Sequence, residues 1–250
     1  MRIFVYISYK GTHYHGWQMQ DNAISIQQVI TESLQLLLKD KEISIIASGR
    51  TDAGVHAFEQ VFHVNIPDET DLEYLTFRLN ALMAKDIVVN KIVIVNKKAH
   101  ARFDAKLRSY EYHLRSKRTP FRRDEYYFHR ATLDYKKMNH AASYLLGVQD
   151  FQSLSKVQTE VNNFVCDISR AEWVENEFGA VFYISANRFL RGMVRTIVGT
   201  LLLVGEGKML PEEVKEIIEK KDRRAAGSSV AAKGLYLCKV EYPNQIFKIE

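Results

Sequence analysis

The chain has 250 residues, 46% of them hydrophobic, and a formal net charge of +5. This length and composition suit one large domain or two of ordinary size, and they exclude a chain dominated by disordered segments. The longest uncharged apolar stretch, residues 196–205, is far too short to span a bilayer, so no membrane association is expected. The N-terminal residues alternate like a strand and lack a cleavage signature, which predicts a cytoplasmic protein.

The positive charge is concentrated in one stretch of the chain. Residues 101–130 contain nine basic and four acidic residues, whereas residues 1–100 contain ten and eleven, and residues 131–250 contain sixteen and fifteen. A basic patch of this kind indicates a polyanionic partner, nucleic acid first among them. A solvated basic loop is the alternative, because charge by itself does not separate the two.

The cysteine and histidine content predicts no metal. Cys166 and Cys238 have no CxxC partner, so neither a disulfide framework nor a zinc site is indicated. His13 and His15 lie two residues apart, but no carboxylate or cysteine lies near them in the sequence.

The predicted elements of the first half follow the order β-α-β-β-α-β. Strands are predicted over 1–10, 43–47, 58–66 and 87–95, and helices over 25–37 and 70–83. Ser25 with Gln28, and Thr70 with Glu73, form the capping boxes that open the two helices.

The second half repeats this order loosely. Strands are predicted over 106–115, 164–174, 178–186 and 235–242, and helices over 134–146, which Gly147 stops, over 189–204, and from Pro211. Two such units predict an α+β protein of two ferredoxin-like (RRM-like) halves, residues 1–100 and 101–250. Their antiparallel sheets are expected to form a central cleft, with the boundary between the halves near residues 96–105.

A glycine-bounded run between two predicted strands carries the strongest chemical signal. It reads Gly49-Arg50-Thr51-Asp52-Ala53-Gly54-Val55-His56-Ala57. Because glycine adopts backbone angles that other residues resist, the loop can point a carboxylate and a guanidinium out of the sheet toward one ligand. A plain connecting turn, in which Asp52 bonds its own backbone, is the alternative interpretation.

Three arginines at helical spacing form a second signal. Arg188, Arg191 and Arg195 share one face at the start of the helix predicted over 189–204. Arginines at a helix N-terminus interact unfavourably with the positive end of the helix dipole. A bound phosphate would make the arrangement favourable, because the helix start and the arginines would both attract it. The spacing therefore predicts phosphate contacts, with a solvated helix face as the alternative.

The basic stretch is interleaved with aromatic residues. Tyr110 and Tyr112 lie on one face of the predicted strand 106–115, where a tyrosine either packs or stacks on a base. Basic and aromatic residues together suit an RNA strand, with charges for phosphates and rings for bases; a surface loop anchored by its aromatics is the competing interpretation. The basic residues after Tyr112 are Arg115, Lys117, Arg118, Arg122 and Arg123.

Several blocks, spread over nearly the whole chain, together resemble the TruA family of tRNA pseudouridine synthases. The blocks are Tyr9-Lys10-Gly11-Thr12-His13-Tyr14-His15-Gly16-Trp17-Gln18-Met19-Gln20, the Gly49 to Ala57 run, Arg108-Ser109-Tyr110-Glu111-Tyr112, Asn187-Arg188-Phe189-Leu190-Arg191-Gly192-Met193-Val194-Arg195, and Gly234-Leu235-Tyr236-Leu237. Their order along the chain is that of the family. The sequence departs from the family pattern at Lys10, at Glu59 and at Ala231-Ala232-Lys233, which concerns substrate positioning more than chemistry.

The resemblance implies conversion of uridine to pseudouridine at positions 38, 39 and 40 of the tRNA anticodon stem-loop. It implies a homodimer in which each tRNA touches both subunits, and no metal or organic cofactor. Asp52 aligns with the catalytic aspartate of the family, Arg50 with its partner arginine, and Tyr110 with the tyrosine that lies against the target base. Within salt-bridge reach, Arg50 would favour the ionised form of Asp52.

Three other functions fit parts of the sequence. A pseudouridine synthase with another RNA target would use the same residues. A non-catalytic RNA-binding protein would use Tyr110, Tyr112 and the basic stretch, with Asp52 only a turn residue. A small-metabolite enzyme of ferredoxin-like fold would have no affinity for RNA and would leave the arginine cluster unexplained.

Overall fold

The computed structural model describes residues 1–156 and 162–247. The chain divides into two compact units: unit 1 consists of Met1–Lys106 and a C-terminal segment that begins at Tyr236, and unit 2 consists of Leu107–Leu235. Both units contain helices and strands, so the predicted α+β class is confirmed. No helix in the described ranges is long and apolar enough to cross a membrane.

Unit 1 has the predicted order β-α-β-β-α-β. Its elements are β1 (Arg2–Tyr9), α1 (Ile26–Leu38), β2 (Ile46–Ala47), β3 (His56–Asn65), α2 (Leu72–Leu82) and β4 (Ile87–Val95). β1 lies between β3 and β4 and is antiparallel to both, and β2 pairs antiparallel with β3. The apolar stripe of α1 is buried at Ile26, Ile30 and Leu34, one helical turn apart, so the core of unit 1 forms around these positions.

The two helix starts in unit 1 differ in how well the sequence located them. The side chain of Ser25 accepts a hydrogen bond from the amide of Gln28 at 3.2 Å, which confirms the predicted cap of α1. The predicted cap of α2 is wrong, because Asp71 and not Thr70 accepts from the amide of Tyr74, at 3.0 Å. The hydroxyl of Thr70 instead donates to the carbonyl of Pro67 in the preceding turn, so it is not available for the helix.

The last strand, β10 (Leu235–Glu241), pairs parallel with β3 through Tyr236 with His56 and Leu237 with Ala57. The hydroxyl of Tyr242 also donates to the carbonyl of Ala101 at 2.7 Å. The C-terminal segment therefore packs in unit 1, whereas the predicted halves 1–100 and 101–250 are each continuous in sequence. Parallel pairing over such a long separation leaves no local sequence pattern, so it was not predicted.

The main strands of unit 2 pair antiparallel. The elements of this unit are β5 (Leu107–Arg115), β6 (Tyr127–Phe128), α3 (Tyr135–Ser143), β7 (Gly147–Asp150), β8 (Val165–Asn176), β9 (Gly179–Ala186), α4 (Met193–Gly205) and α5 (Glu213–Lys220). The strands lie in the order β5-β9-β8-β7, and the short strand β6 pairs parallel with β5. The short strands β6 and β7 were not predicted, since two and four residues give too little periodicity.

The buried helix α4 begins four residues later than predicted. Gly192 precedes it with a φ of 70°, in the left-handed region, and the amide of Met193 donates to the carbonyl of Leu190. This turn separates residues 188–192 from the helix, so the predicted start at Phe189 is wrong. The apolar spacing continues through the turn, which is why it did not reveal the break.

Candidate functional site

The loop between β2 and β3, which carries Arg50 and Asp52, is held through Thr51. The buried Thr51 hydroxyl is hydrogen-bonded to the hydroxyl of Tyr9 at 2.8 Å, and its carbonyl accepts from the amide of Trp17 at 3.1 Å. Burial raises the pKa of Tyr9 to about 12, so the phenol is neutral near neutral pH. The backbone just before Asp52 is therefore anchored in the core of unit 1.

The backbone just after Asp52 is held by a tight turn. The amide of Val55 donates to the carbonyl of Asp52 at 3.1 Å, and the amide of Gly54 donates to the carbonyl of Tyr14 at 3.3 Å. Gly54 has a φ of 76°, a left-handed backbone angle that glycine adopts readily, as the sequence predicted. Gly49 does not have a positive φ. The half-buried Asp52 side chain thus projects from a backbone that is fixed on both sides.

Two glycines of residues 9–20 let this segment approach the loop closely. A Cβ on Gly11 would lie 2.0 Å from the carbonyl oxygen of Val55, and one on Gly16 would lie 2.5 Å from that of Thr51. The amide of Gly11 also donates to Nδ1 of the buried His56 at 3.1 Å. The sequence did not predict that this segment packs against the loop, although its glycines were the available signal for close backbone packing.

The other end of the loop is tied to β3 by Gln60, which sequence reasoning did not single out. Its Oε1 accepts from the hydroxyl of Ser48 at 2.5 Å, and its Nε2 donates to the carbonyl of Gly49 at 3.0 Å. A buried amide with both ends satisfied gives the loop a defined position.

Arg50 is exposed to solvent in the loop. Its predicted partnership with Asp52 and its role in the site stay predictions.

In unit 2, Tyr110 and Tyr112 lie two residues apart on β5, but their surroundings differ. Tyr110 is half-buried and meets Phe189 edge-on, with ring centroids 5.1 Å apart. Tyr112 is fully buried, and its hydroxyl donates to the carbonyl of Ala231 at 2.8 Å. The ring of Tyr112 packs in the interior of unit 2, where it is not accessible to a base.

The three arginines do not share a helix face as predicted. Arg188 and Arg191 lie in the loop between β9 and α4, and Arg195 lies in the first turn of α4. The Nε of Arg195 donates to the carbonyl of Val230 at 2.7 Å, which fixes part of its guanidinium. Arg191 is exposed, whereas Arg188 and Arg195 are partly buried.

The basic stretch has two kinds of residue. The guanidinium of Arg115 lies 4.6 Å from the ring of Tyr126 and 4.5 Å from that of Phe178, so these aromatics anchor it, and Arg118 lies 4.9 Å from the ring of Phe128. Of the predicted binding residues in this stretch, Arg115 is partly buried, and the exposed ones are Lys117, Arg118, Arg122 and Arg123. For Arg115, the contacts favour the interpretation of a loop anchored by aromatic rings.

Two of the departures from the family pattern have structural contacts. The Nζ of Lys233 donates to the carbonyl of Arg123 at 2.9 Å, which is a contact within unit 2. In unit 1, the Oε1 of Glu59 accepts from the amide of Val240 at 3.0 Å. Lys233 thus helps to position the backbone at Arg123, and Glu59 helps to position the backbone at Val240.

A cavity of about 420 Å³ in unit 2 lies between α4 and residues 226–231. The Nε2 of His129 and the Oε1 of Glu206 lie 2.9 Å apart at its wall. Within the described ranges, no group of three or more His, Cys, Asp or Glu side chains is placed to hold a metal ion.

Comparison with known proteins agrees with the resemblance seen in the sequence. The family model described as tRNA pseudouridine synthase matches residues 5–104 and 141–243. A protein named tRNA pseudouridine synthase A from Bacteroides fragilis is 46% identical over 249 residues, which cover 99% of this chain and 98% of the relative. A protein of the same name from Bacillus subtilis is 39% identical and covers 98% of this chain and 100% of its own length.

Proposed function

The chain belongs to the TruA family of tRNA pseudouridine synthases, and we propose that it converts uridine to pseudouridine at positions 38, 39 and 40 of the tRNA anticodon stem-loop. One observation carries the proposal: the carboxylate that aligns with the catalytic aspartate projects from a loop pinned on both sides by buried contacts. Such rigidity suits a group that must meet a reacting atom in one geometry.

The reaction is an isomerisation that needs no further reactant. The bond from C1′ of the ribose to N1 of uracil breaks, and a bond from C1′ to C5 forms. The proton on C5 leaves, and N1 gains one. Because a paired base cannot reach the site, the uridine must first flip out of the helix.

We assign the central step to Asp52. Its carboxylate either attacks the sugar carbon or stabilises positive charge there, as glycosidase carboxylates do. Attack on the base and elimination from the sugar are two further routes, and all of them use the same residue. Tyr110 would stack on the uracil and help to remove the C5 proton, and Arg50 would fill the space that the flipped base leaves.

The RNA backbone would be held by exposed basic residues of unit 2. Arg191 is exposed, Arg188 and Arg195 are partly exposed, and charged guanidinium groups suit phosphate oxygens. Tyr112 is buried and is left out of the proposed binding set. Arg115 lies against two aromatic rings and is also left out, so the remaining members are Lys117, Arg118, Arg122 and Arg123.

The proposal extends to the architecture and the assembly. The antiparallel order β4-β1-β3-β2, with two helices, supports a ferredoxin-like first half, and we propose a second such half in unit 2. The division into residues 1–100, with the Asp52 loop, and 101–250, with the basic stretch, is kept as a functional proposal. We further propose a cytoplasmic homodimer whose subunits both contact each tRNA.

The direct test is to incubate unmodified tRNA with the protein alone and to map pseudouridine by chemical modification and primer extension. We expect pseudouridine at positions 38, 39 and 40. Uridine that stays intact on bound tRNA would favour a pure RNA-binding protein. Modification elsewhere would indicate another RNA target, and absence of RNA binding would favour a small-metabolite enzyme.

If Arg191 contacts a phosphate, its replacement should change how strongly tRNA binding depends on salt concentration. Each phosphate contact contributes about 0.7–0.9 to the slope of log K against log salt concentration, so Arg191→Ala should weaken tRNA binding and lower the slope by about that amount. Filter binding at several salt concentrations gives the slope. Lys215→Ala, an exposed lysine on α5, is the matched control and should change neither value. An unchanged slope for Arg191→Ala would contradict phosphate contact.

A further inference from the structure

Three rings form a stack at the start of β3. His56 and Tyr236 lie with centroids 4.7 Å apart and planes at 25°, and Tyr236 and Phe58 lie with centroids 4.7 Å apart and planes at 19°. His56 and Tyr236 are 1% and 7% exposed, whereas Phe58 is 51% exposed. The two inner rings of the stack are therefore buried, and the outer ring reaches solvent.

The backbone determines where this outer ring points. Along the β1–β3 pairing, Ile7 is opposite Gln60 and Tyr9 is opposite Ala57, so β3 has one extra residue between these pairs. Phe58 lies in that bulge, and bulges commonly redirect a side chain next to a functional site. The parallel pairing of Tyr236 with His56 sets the middle ring, and the bond from Gly11 to Nδ1 fixes the innermost one.

The stack lies close to the proposed catalytic loop. Phe58 follows Asp52 by six residues, which span at most about 20 Å when fully extended. The turn from Asp52 to Val55 shortens this path. An RNA strand that places a uridine at Asp52 would therefore bring neighbouring nucleotides within reach of Phe58.

We propose that Phe58 is the outer layer of a base-stacking platform that binds an unpaired base of the substrate RNA, next to the base that reacts. This inference rests on the proposed function. An aromatic ring offers a flat surface to any base, and a ring already stacked on a buried tyrosine loses little freedom when a base binds. The carboxylate of the adjacent Glu59 is held by the amide of Val240.

The test compares Phe58 with an exposed phenylalanine elsewhere in unit 1. Phe77 on α2 is 67% exposed and is the matched control. With an unmodified anticodon stem-loop RNA, Phe58→Ala should raise the Kd by about 5- to 100-fold, because loss of one base–aromatic stack has an effect of that size. The slope of the salt dependence should not change, since stacking releases no counterions. Phe77→Ala should match the wild type in both measurements.

A second variant reports stacking directly. Trp17 and Trp173 are 2% and 3% exposed, so acrylamide should reach mainly the indole introduced by Phe58→Trp. Adding the stem-loop RNA should quench this fluorescence and protect it from acrylamide, whereas Phe77→Trp should show neither effect. This measurement stays informative if Phe58→Ala folds poorly.

The outcomes separate the platform from the proposed function. Unchanged RNA affinity in Phe58→Ala, together with an indole that RNA neither quenches nor protects, would overturn the platform while wild-type pseudouridine formation stands. A change in oligomeric state with unchanged RNA affinity would overturn it in favour of contact with a second copy of the chain. RNA-dependent quenching in a protein that forms no pseudouridine would support the platform and contradict the proposed reaction.

Discussion

Asp52→Asn is expected to abolish pseudouridine formation, with a loss of more than about a thousandfold in turnover. The amide keeps the shape of the side chain and removes the charge that each proposed route requires. Release of tritium from C5-labelled uridine in tRNA measures the reaction. tRNA binding should persist, because the proposed phosphate contacts lie in unit 2.

The control is Asp21→Asn, an exposed aspartate of unit 1 outside the loop, which should keep wild-type turnover. Thermal unfolding of both variants checks that the loop is intact. Near-normal turnover by Asp52→Asn would show that the assignment is wrong and that Asp52 serves only the turn it forms with Val55.

Gly16→Ala is expected to impair the site without touching a reacting group. Gly16 has a φ of 84°, and a Cβ there would lie 2.5 Å from the carbonyl oxygen of Thr51. The angle alone costs about 1–3 kcal/mol in a residue other than glycine. Relief of the clash must move the backbone next to Asp52, and a displacement of about 1 Å can reduce the rate about a hundredfold. Denaturant unfolding and single-turnover kinetics measure the two effects.

Gly49→Ala is the contrasting variant. A Cβ at Gly49 would have no heavy atom within 4 Å, and its φ is not in the left-handed region. Its free energy of unfolding should stay within about 0.5 kcal/mol of the wild type. Wild-type single-turnover rates in Gly16→Ala would contradict the idea that the segment of residues 9–20 positions the catalytic loop.

Structural features that depend on residues close together in the sequence were predictable. The Ser25 cap of α1, the apolar stripe of that helix and the element order of unit 1 all follow from contacts within a few residues. The Gly49 to Ala57 run was recognisable because its residue types and spacing are specific. The family followed from such blocks, and comparison with full-length relatives agrees.

Features that depend on distant partners were not predictable. Tyr110 and Tyr112 have the same residue type and the same strand face, yet only Tyr112 is fully buried, and its hydroxyl donates to the carbonyl of Ala231, which is distant in sequence. The sequence predicts Arg115 to be a phosphate ligand, but in the structure its guanidinium lies against the rings of Tyr126 and Phe178, which are distant in sequence.

The amino-acid order by itself determined which elements form in unit 1, which loop carries the carboxylate and to which family the chain belongs, since these depend on local periodicity and residue identity. Only the tertiary structure decided that residues 9–20 hold that loop, that β10 lies beside β3 and that a turn at Gly192 removes two arginines from α4. These features arise from backbone contacts between segments far apart in the chain and from a single left-handed residue, and neither leaves a periodic pattern in the sequence.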